Sequence, residues 1–152
     1  MIPKYIVIHH SLTEDGKTVS WGAIRKYHME VRGWRECGYH FGIELIGDHY
    51  EILMGRMPDQ MGAHALEAQM NYRSLGICAV GDFDKIIPPD DILRKLEELV
   101  NWLMYEFKIP KDNVIGHRDV GLMAKYDWTK GQYKTCPGKL FPLDKFKERL
   151  IF

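Results

Sequence analysis

The 152-residue sequence predicts a mixed α/β fold: a central mixed β-sheet of about five strands flanked by about three helices. Three observations carry that expectation. Strand-like and helix-like segments follow one another in the order strand, helix, hairpin, strand, helix, strand, helix. Two of the strand-like segments are short unbroken apolar runs, the mark of strands buried on both faces. One long segment near the middle carries an apolar stripe at helical spacing.

The first strand is the run Tyr5-Ile6-Val7-Ile8, which stops abruptly at His9-His10-Ser11. Thr13-Glu14-Asp15-Gly16-Lys17 reads as a polar loop. Ser20 can cap the helix that follows and Gly33 can end it. Between them Ile24, Tyr27, His28 and Val31 recur every three or four residues, which predicts the buried face of an amphipathic helix, with His28 packed or partly exposed. Cys37 to Leu45 and Tyr50 to Met54 read as the arms of a hairpin that turns at Gly47-Asp48. Ser74 to Gly81 is a further buried strand, whose glycines let another group approach closely.

The longest helix begins at Pro88-Pro89-Asp90-Asp91, with carboxylates at its positive end. Ile92, Leu96, Leu99, Val100, Leu103, Met104 and Phe107 form its buried stripe, and Pro110 lies beyond its end. Asn113 to Gly116 is a last short strand that runs into His117. Arg118 to Thr135 is expected to be irregular, and a helix from Leu143 to Leu150 closes the chain.

With 45% hydrophobic and 12% aromatic residues the chain can bury a core. It has no repeat, low-complexity tract or linker, so residues 1–152 are read as one domain. Its 21 basic and 21 acidic residues cancel, which gives no drive toward nucleic acid or an anionic membrane. No basic stretch followed by an apolar run opens the chain, and no window is apolar for the length of a membrane helix. Synthesis in the cytoplasm without a signal peptide, and no membrane insertion, are therefore expected. The three cysteines form no CxxC pair. Cys37 and Cys78 are expected to be buried thiols, whereas Cys136 sits in a polar loop beside Pro137-Gly138 and needs another explanation.

His9 and His117 stand at the ends of two strands, and Cys136 supplies a thiolate from a third segment. Catalytic zinc takes three protein ligands of these types and leaves one position open. Finger-type sites draw ligands from close pairs, and these three are far apart. Spacing alone leaves the choice between His9 and His10 open, because strand neighbours point to opposite faces. His40 and His49 are read as structural or exposed. Met57, Met61, Met70 and Met123 could belong to core or groove.

Six segments occur in a fixed order: Ile8-His9-His10-Ser11, Gly38-Tyr39-His40-Phe41, Gly62-Ala63-His64-Ala65, Asn71 to Gly81, Gly116-His117-Arg118-Asp119 and Thr135-Cys136-Pro137-Gly138. As a set they resemble the type-2 N-acetylmuramoyl-L-alanine amidases, a superfamily that includes phage endolysins and animal peptidoglycan recognition proteins. The resemblance covers roughly residues 5 to 143, and compact single-domain phage amidases match best in length. It implies the amidase fold, with Zn2+ held by His9, His117 and Cys136 and with His10 as a flanking neighbour. It implies catalytic roles for Tyr39 and Lys134, and places His64 and Asn71 in the substrate groove.

The implied reaction is hydrolysis of the amide between the lactyl group of N-acetylmuramic acid and L-alanine. The implied partner is peptidoglycan, both glycan strand and stem peptide, met by a monomer acting on the bacterial cell wall after holin-mediated release. Two other roles fit the same resemblance: a recognition module that binds peptidoglycan without cutting it, and a cytoplasmic amidase that recycles anhydro-muropeptides. One departure stands out. In many members the histidine and cysteine ligands lie close together, whereas His117 and Cys136 are nineteen positions apart. The additional residues, Leu122 to Tyr133, are rich in aromatics and lysines and are expected to form a groove wall.

Overall fold

Strands β1 (Tyr5–His10), β2 (Phe41–Ile46), β3 (His49–Met54), β4 (Ser74–Ala79) and β5 (Val114–Gly116) make one sheet in the order β3-β2-β4-β1-β5. The computed structural model describes residues 1–13 and 20–151, so the polar loop expected over 14–17 lies outside the described residues. β1 runs parallel to both β4 and β5, β2 runs parallel to β4, and β2 and β3 form an antiparallel hairpin. The sheet is therefore mixed, with five strands, as the element order predicts.

Helices cover the sheet: α1 (Trp21–Lys26), α2 (Met70–Arg73), α3 (Asp90–Phe107), α4 (His117–Met123) and α5 (Leu143–Glu148). Alternation along β1 divides its side chains between two layers. Ile6 and Ile8 pack with Leu96, Val100 and Leu103 of α3 and Phe146 of α5. Val7 faces the other way and packs with Ala65, Met70 and Val120. Both faces are covered, so Ile6, Val7 and Ile8 are fully buried, which is why this strand reads as an unbroken apolar run.

Three expected elements differ. The stripe Ile24, Tyr27, His28 and Val31 does not enter the core as a unit. α1 stops at Lys26 and continues as a π-helical turn over Tyr27–Val31, and Tyr27 and Val31 are exposed. Trp21 and Ile24 are the buried residues, and the Trp21 ring fills the space left by the missing side chain of Gly42. Tyr27 and His28 line an open cleft instead. The first hairpin arm begins at Phe41 rather than Cys37. The backbone of Gly38 and His40 is drawn elsewhere, with Ala63 N donating to Gly38 O and His40 N to Gly76 O.

The stretch from Arg118 to Thr135 is not irregular throughout. It begins within α4 and includes a 3-10 turn at Trp128–Lys130. Asp119 starts α4 by accepting the Gly116 amide at 2.8 Å. The helix is short and holds Gly121, so it shows little apolar periodicity. Met70 belongs to the core, while Met57, Met61 and Met123 are exposed.

The face of α3 can be tested directly. Leu96→Ala should cost about 2–5 kcal/mol in urea unfolding, and Glu98→Ala, on the exposed face, should stay within about 0.5 kcal/mol. Equal effects would show the helix to be turned the other way.

Candidate metal centre

Pairing of β1 with β5 places Ile8 opposite Gly116, so the residue after β5, His117, arrives beside the residue after Ile8, His9. Their ring centroids are 4.6 Å apart. Cys136 is brought to the same point by the residue next to His117. Arg118 donates its backbone amide to Cys136 O at 2.7 Å. Its guanidinium donates to Gly138 O at 2.7 Å and to Phe141 O at 3.3 Å, and lies 4.6 Å from the Trp128 ring centre. Asp84 holds the same loop by accepting from Thr135 Oγ1 at 3.0 Å and Lys139 N at 2.8 Å.

As a result one ligand atom from each of His9, His117 and Cys136 lies within 4.8 Å of the others, and all three residues are buried. His9 Nδ1 is 3.7 Å from Cys136 Sγ. Tetrahedral zinc with ordinary bond lengths separates a nitrogen and a sulfur ligand by about 3.6 Å. The donor set and its spacing therefore fit that ion. His10 faces the α3 layer, where Nδ1 accepts the Phe83 amide at 3.1 Å and the ring stacks on Phe83.

Burial, reinforced by His117, His64 and Lys134, holds the His9 imidazole far below its ordinary range. Burial, then Lys134, pushes His117 down to about 4. Both rings are neutral near pH 7 and have a lone pair to offer. Burial drives the Cys136 thiol up to about 12, against the pull of the His10 backbone amide and Lys134. A cation entering here must displace that proton, so its binding releases acid.

The three residues form the floor of an open cleft of about 800 Å³. Tyr39 is half-buried on its wall, with its ring 5.1 Å from that of His9. Burial raises its phenol well above the usual range, with the Cys78 and Cys136 thiols adding to the effect. It is thus a neutral hydrogen-bond donor near pH 7. Lys134 is an exposed lining residue on the same cleft.

His64 and Asn71 also line the cleft, and their polar atoms are largely committed to protein. His64 Nδ1 lies 2.9 Å from His9 Nε2 and its Nε2 lies 3.4 Å from Ser74 Oγ. Its ring rests on Gly76, where any side chain would collide with it. Asn71 Oδ1 accepts from both His64 N and Ala65 N, at 2.7 and 2.8 Å. His40 bridges Gly76 N and Gln60 O from a buried position, and His49 is an exposed partner of Asp48 and Glu51.

Several further lining residues escape sequence reasoning, among them His28, Arg32, Trp34 and Glu67. His28 Nδ1 accepts the Gly38 amide at 2.9 Å, steadying the residue before Tyr39. Its helical spacing marked it as a packing residue, and Glu67 stands in no motif. Of the segment expected to wall the groove, Leu122 to Tyr133 is absent from the lining, which takes only its neighbours Lys134 and Thr135. Tyr133 instead packs edge-on against His117.

A family model described as N-acetylmuramoyl-L-alanine amidase matches residues 1–139. Peptidoglycan-recognition protein LB of Drosophila melanogaster is 33% identical over 124 residues, covering 76% of this chain and 51% of that protein. This chain thus spans about half the length of that curated relative. An endolysin N-acetylmuramoyl-L-alanine amidase, LysCS from Clostridium intestinale URNW, superposes with a TM-score of 0.77 at 28% identity, over 97% of this chain and 83% of its own. A mutant of Drosophila PGRP-LB in complex with tracheal cytotoxin gives 0.71 at 25% identity, over 100% and 86%.

The depressed imidazoles fix a pH dependence. The unfolded chain takes up protons near pH 6.5, and folded His117 does so only near pH 4, so the unfolded state binds more protons between those values. Stability of the metal-free protein is full above pH 6.5 and falls as the pH drops toward 4. At pH 5 the loss from His117 alone is on the order of 2 kcal/mol. Urea midpoints of the metal-free protein that match at pH 7 and pH 5 would contradict this.

Proposed function

We propose that this chain, which belongs to the N-acetylmuramoyl-L-alanine amidase family, is a zinc-dependent hydrolase acting on bacterial peptidoglycan. The bond cut is the amide between the lactyl group of N-acetylmuramic acid and L-alanine. The observation that carries the reading is the convergence of His9, His117 and Cys136 on the floor of one open cleft. Family membership supports amide hydrolysis, and the donor set supports zinc.

When bound, zinc supplies a nucleophile near neutral pH and polarises the scissile carbonyl. The chain's own groups do the rest. His9 and His117 enter as neutral donors and Cys136 as the one anion, which limits the net charge of the site. Tyr39, a neutral phenol beside His9, donates a hydrogen bond toward the substrate carbonyl oxygen. Lys134 puts a positive charge near the oxygen on which negative charge develops, a contribution of roughly 3–4 kcal/mol in other hydrolases. Arg32, Trp34 and Glu67 also line the cleft, whose volume of about 800 Å³ leaves room for parts of both glycan and stem peptide. His64 and Asn71 shape its wall.

Residues 1–152 act as one monomeric domain in this reading. Among the described residues no helix is long and apolar enough to cross a membrane. Similarity to a clostridial endolysin amidase favours a role in cell-wall lysis, with holin-mediated release, over recycling of soluble anhydro-muropeptides. Side-by-side turnover of purified sacculi and anhydro-muropeptides separates the two, and the lytic role requires sacculi to be the better substrate.

The wild type should purify with zinc and lyse sacculi, and Cys136→Ala should lose both. A zinc-free wild type, or a fully active alanine variant, would overturn the enzyme. A zinc-loaded wild type that binds sacculi without cutting them would make the chain a recognition module. Tyr39→Phe should keep its zinc and lose about 10²–10⁴ in kcat, and Lys134→Ala about 10²–10³.

A further inference from the structure

Each of the two candidate histidine ligands has a hydrogen-bond partner at its other ring nitrogen. For His9 it is His64, described above. For His117 it is Tyr133, whose hydroxyl oxygen lies 3.2 Å from His117 Nε2. The same hydroxyl donates to Glu67 Oε2 at 2.5 Å. Tyr133 belongs to the segment between His117 and Cys136, and Glu67 lies 66 residues earlier in the chain.

Donor and acceptor counting orders this chain of contacts. The Glu67 carboxylate can only accept, so the single Tyr133 proton goes to it. Tyr133 then has only lone pairs left for His117, and the Nε2 of His117 must carry the hydrogen. That tautomer leaves the Nδ1 lone pair free for the common point shared with His9 and Cys136. The positions are built for this contact. His117 and Gly121 are four residues apart on α4 and share a face. A Cβ at Gly121 would overlap the Tyr133 ring, so glycine lets the ring lie along the helix and reach His117. Tyr126 stacks on the outer face of Tyr133, with centroids 6.1 Å apart and planes 10° from parallel.

We propose that Tyr133 and Glu67 are positioning residues for the metal. They set the tautomer and orientation of His117: the extended segment between the two late ligands folds back to deliver Tyr133, and Glu67 meets it from an earlier part of the chain. The inference rests on the zinc reading of the site. Outer partners of metal-bound histidines govern affinity, and their loss typically weakens binding about 10–100-fold.

The experiment measures zinc affinity by competition with a chromophoric chelator on the full chain. Variants are Tyr133→Phe, which keeps the ring and its stack, and Glu67→Ala, which breaks the relay from its far end and leaves the Tyr133 ring and hydroxyl in place. Circular dichroism of each metal-free variant checks folding. Long-range 1H–15N NMR of the zinc-bound wild type reads the His117 tautomer. Tyr133→Phe should weaken zinc about 10–100-fold, Glu67→Ala should weaken it less, and the double variant should be no worse than Tyr133→Phe alone. His117 should carry its proton on Nε2. Folded variants that bind zinc within twofold of wild type, or a proton on Nδ1, overturn the relay while leaving the metal site intact. A wild type that binds no zinc overturns the metal site and the relay with it.

Discussion

The register of β1 is the constraint on which the rest depends. Its odd residues, Val7 and His9, face the cleft layer, and its even residues, Ile6, Ile8 and His10, face α3. Strand alternation makes that division all-or-none: a slip by one residue would exchange the two sets. It would put His10 into the cleft and His9 against Phe83, and would move Val7 into the α3 layer. The register is held from both sides, through β4 along the whole strand and through β5 at Ile6, Val7 and Ile8. Because Ile6 through Ile8 are buried on both faces, neither layer tolerates the exchange. The position of the first candidate ligand is thus set by hydrophobic packing several residues away from it.

The second constraint is polar. Cys136 lies on a loop with no regular structure to position it, and Arg118 replaces that structure with hydrogen bonds. Its backbone amide and guanidinium reach three carbonyls on the same loop, at Cys136, Gly138 and Phe141. A buried guanidinium is costly unless its protons are placed, and here each bond also fixes the loop. One dipeptide, His117-Arg118, therefore supplies a candidate ligand and the tether for the next. Asp84 closes the loop from the opposite side. The histidine-to-cysteine distance in sequence can therefore grow without moving the two donors apart, because the tether acts on Cys136 itself and the added residues loop away behind His117.

The parts of this architecture legible in the sequence are those whose cause is local. The apolar run of β1, the stripe of α3 and the glycine turn between β2 and β3 each follow from short-range periodicity, and the structure has all three. The stripe through Tyr27 and Val31 had the same periodicity and a different cause. Its Tyr27 and Val31 are exposed, while Ile24 and Trp21, three residues earlier on the same face, are buried and the Trp21 ring packs into the gap at Gly42. Periodicity reports an amphipathic face and cannot say whether core or cavity lies opposite. α4 was invisible because two turns of helix containing a glycine carry too little pattern. The meeting of His9, His117 and Cys136 was readable only through motif order. The contact of Glu67 with Tyr133 was not readable at all, since neither residue stands in a motif and their approach depends on the completed fold.

The electrostatics of the site give these constraints a common direction. Two imidazoles are forced neutral and a thiol is forced to keep its proton, all by burial. Three donor atoms are then held within 4.8 Å of one another. Such an arrangement costs stability in the metal-free protein, because each group has lost its hydration and the first two cannot take up a proton to recover it. Neither layer of the core benefits from that cost. A cation at the common point would satisfy all three donors at once, and its binding free energy would add to folding free energy. The packing that fixes β1 and the hydrogen bonds of Arg118 therefore do more than place three residues. They hold an unfavourable arrangement that a bound cation would relieve, which is the physical meaning of a preorganised site.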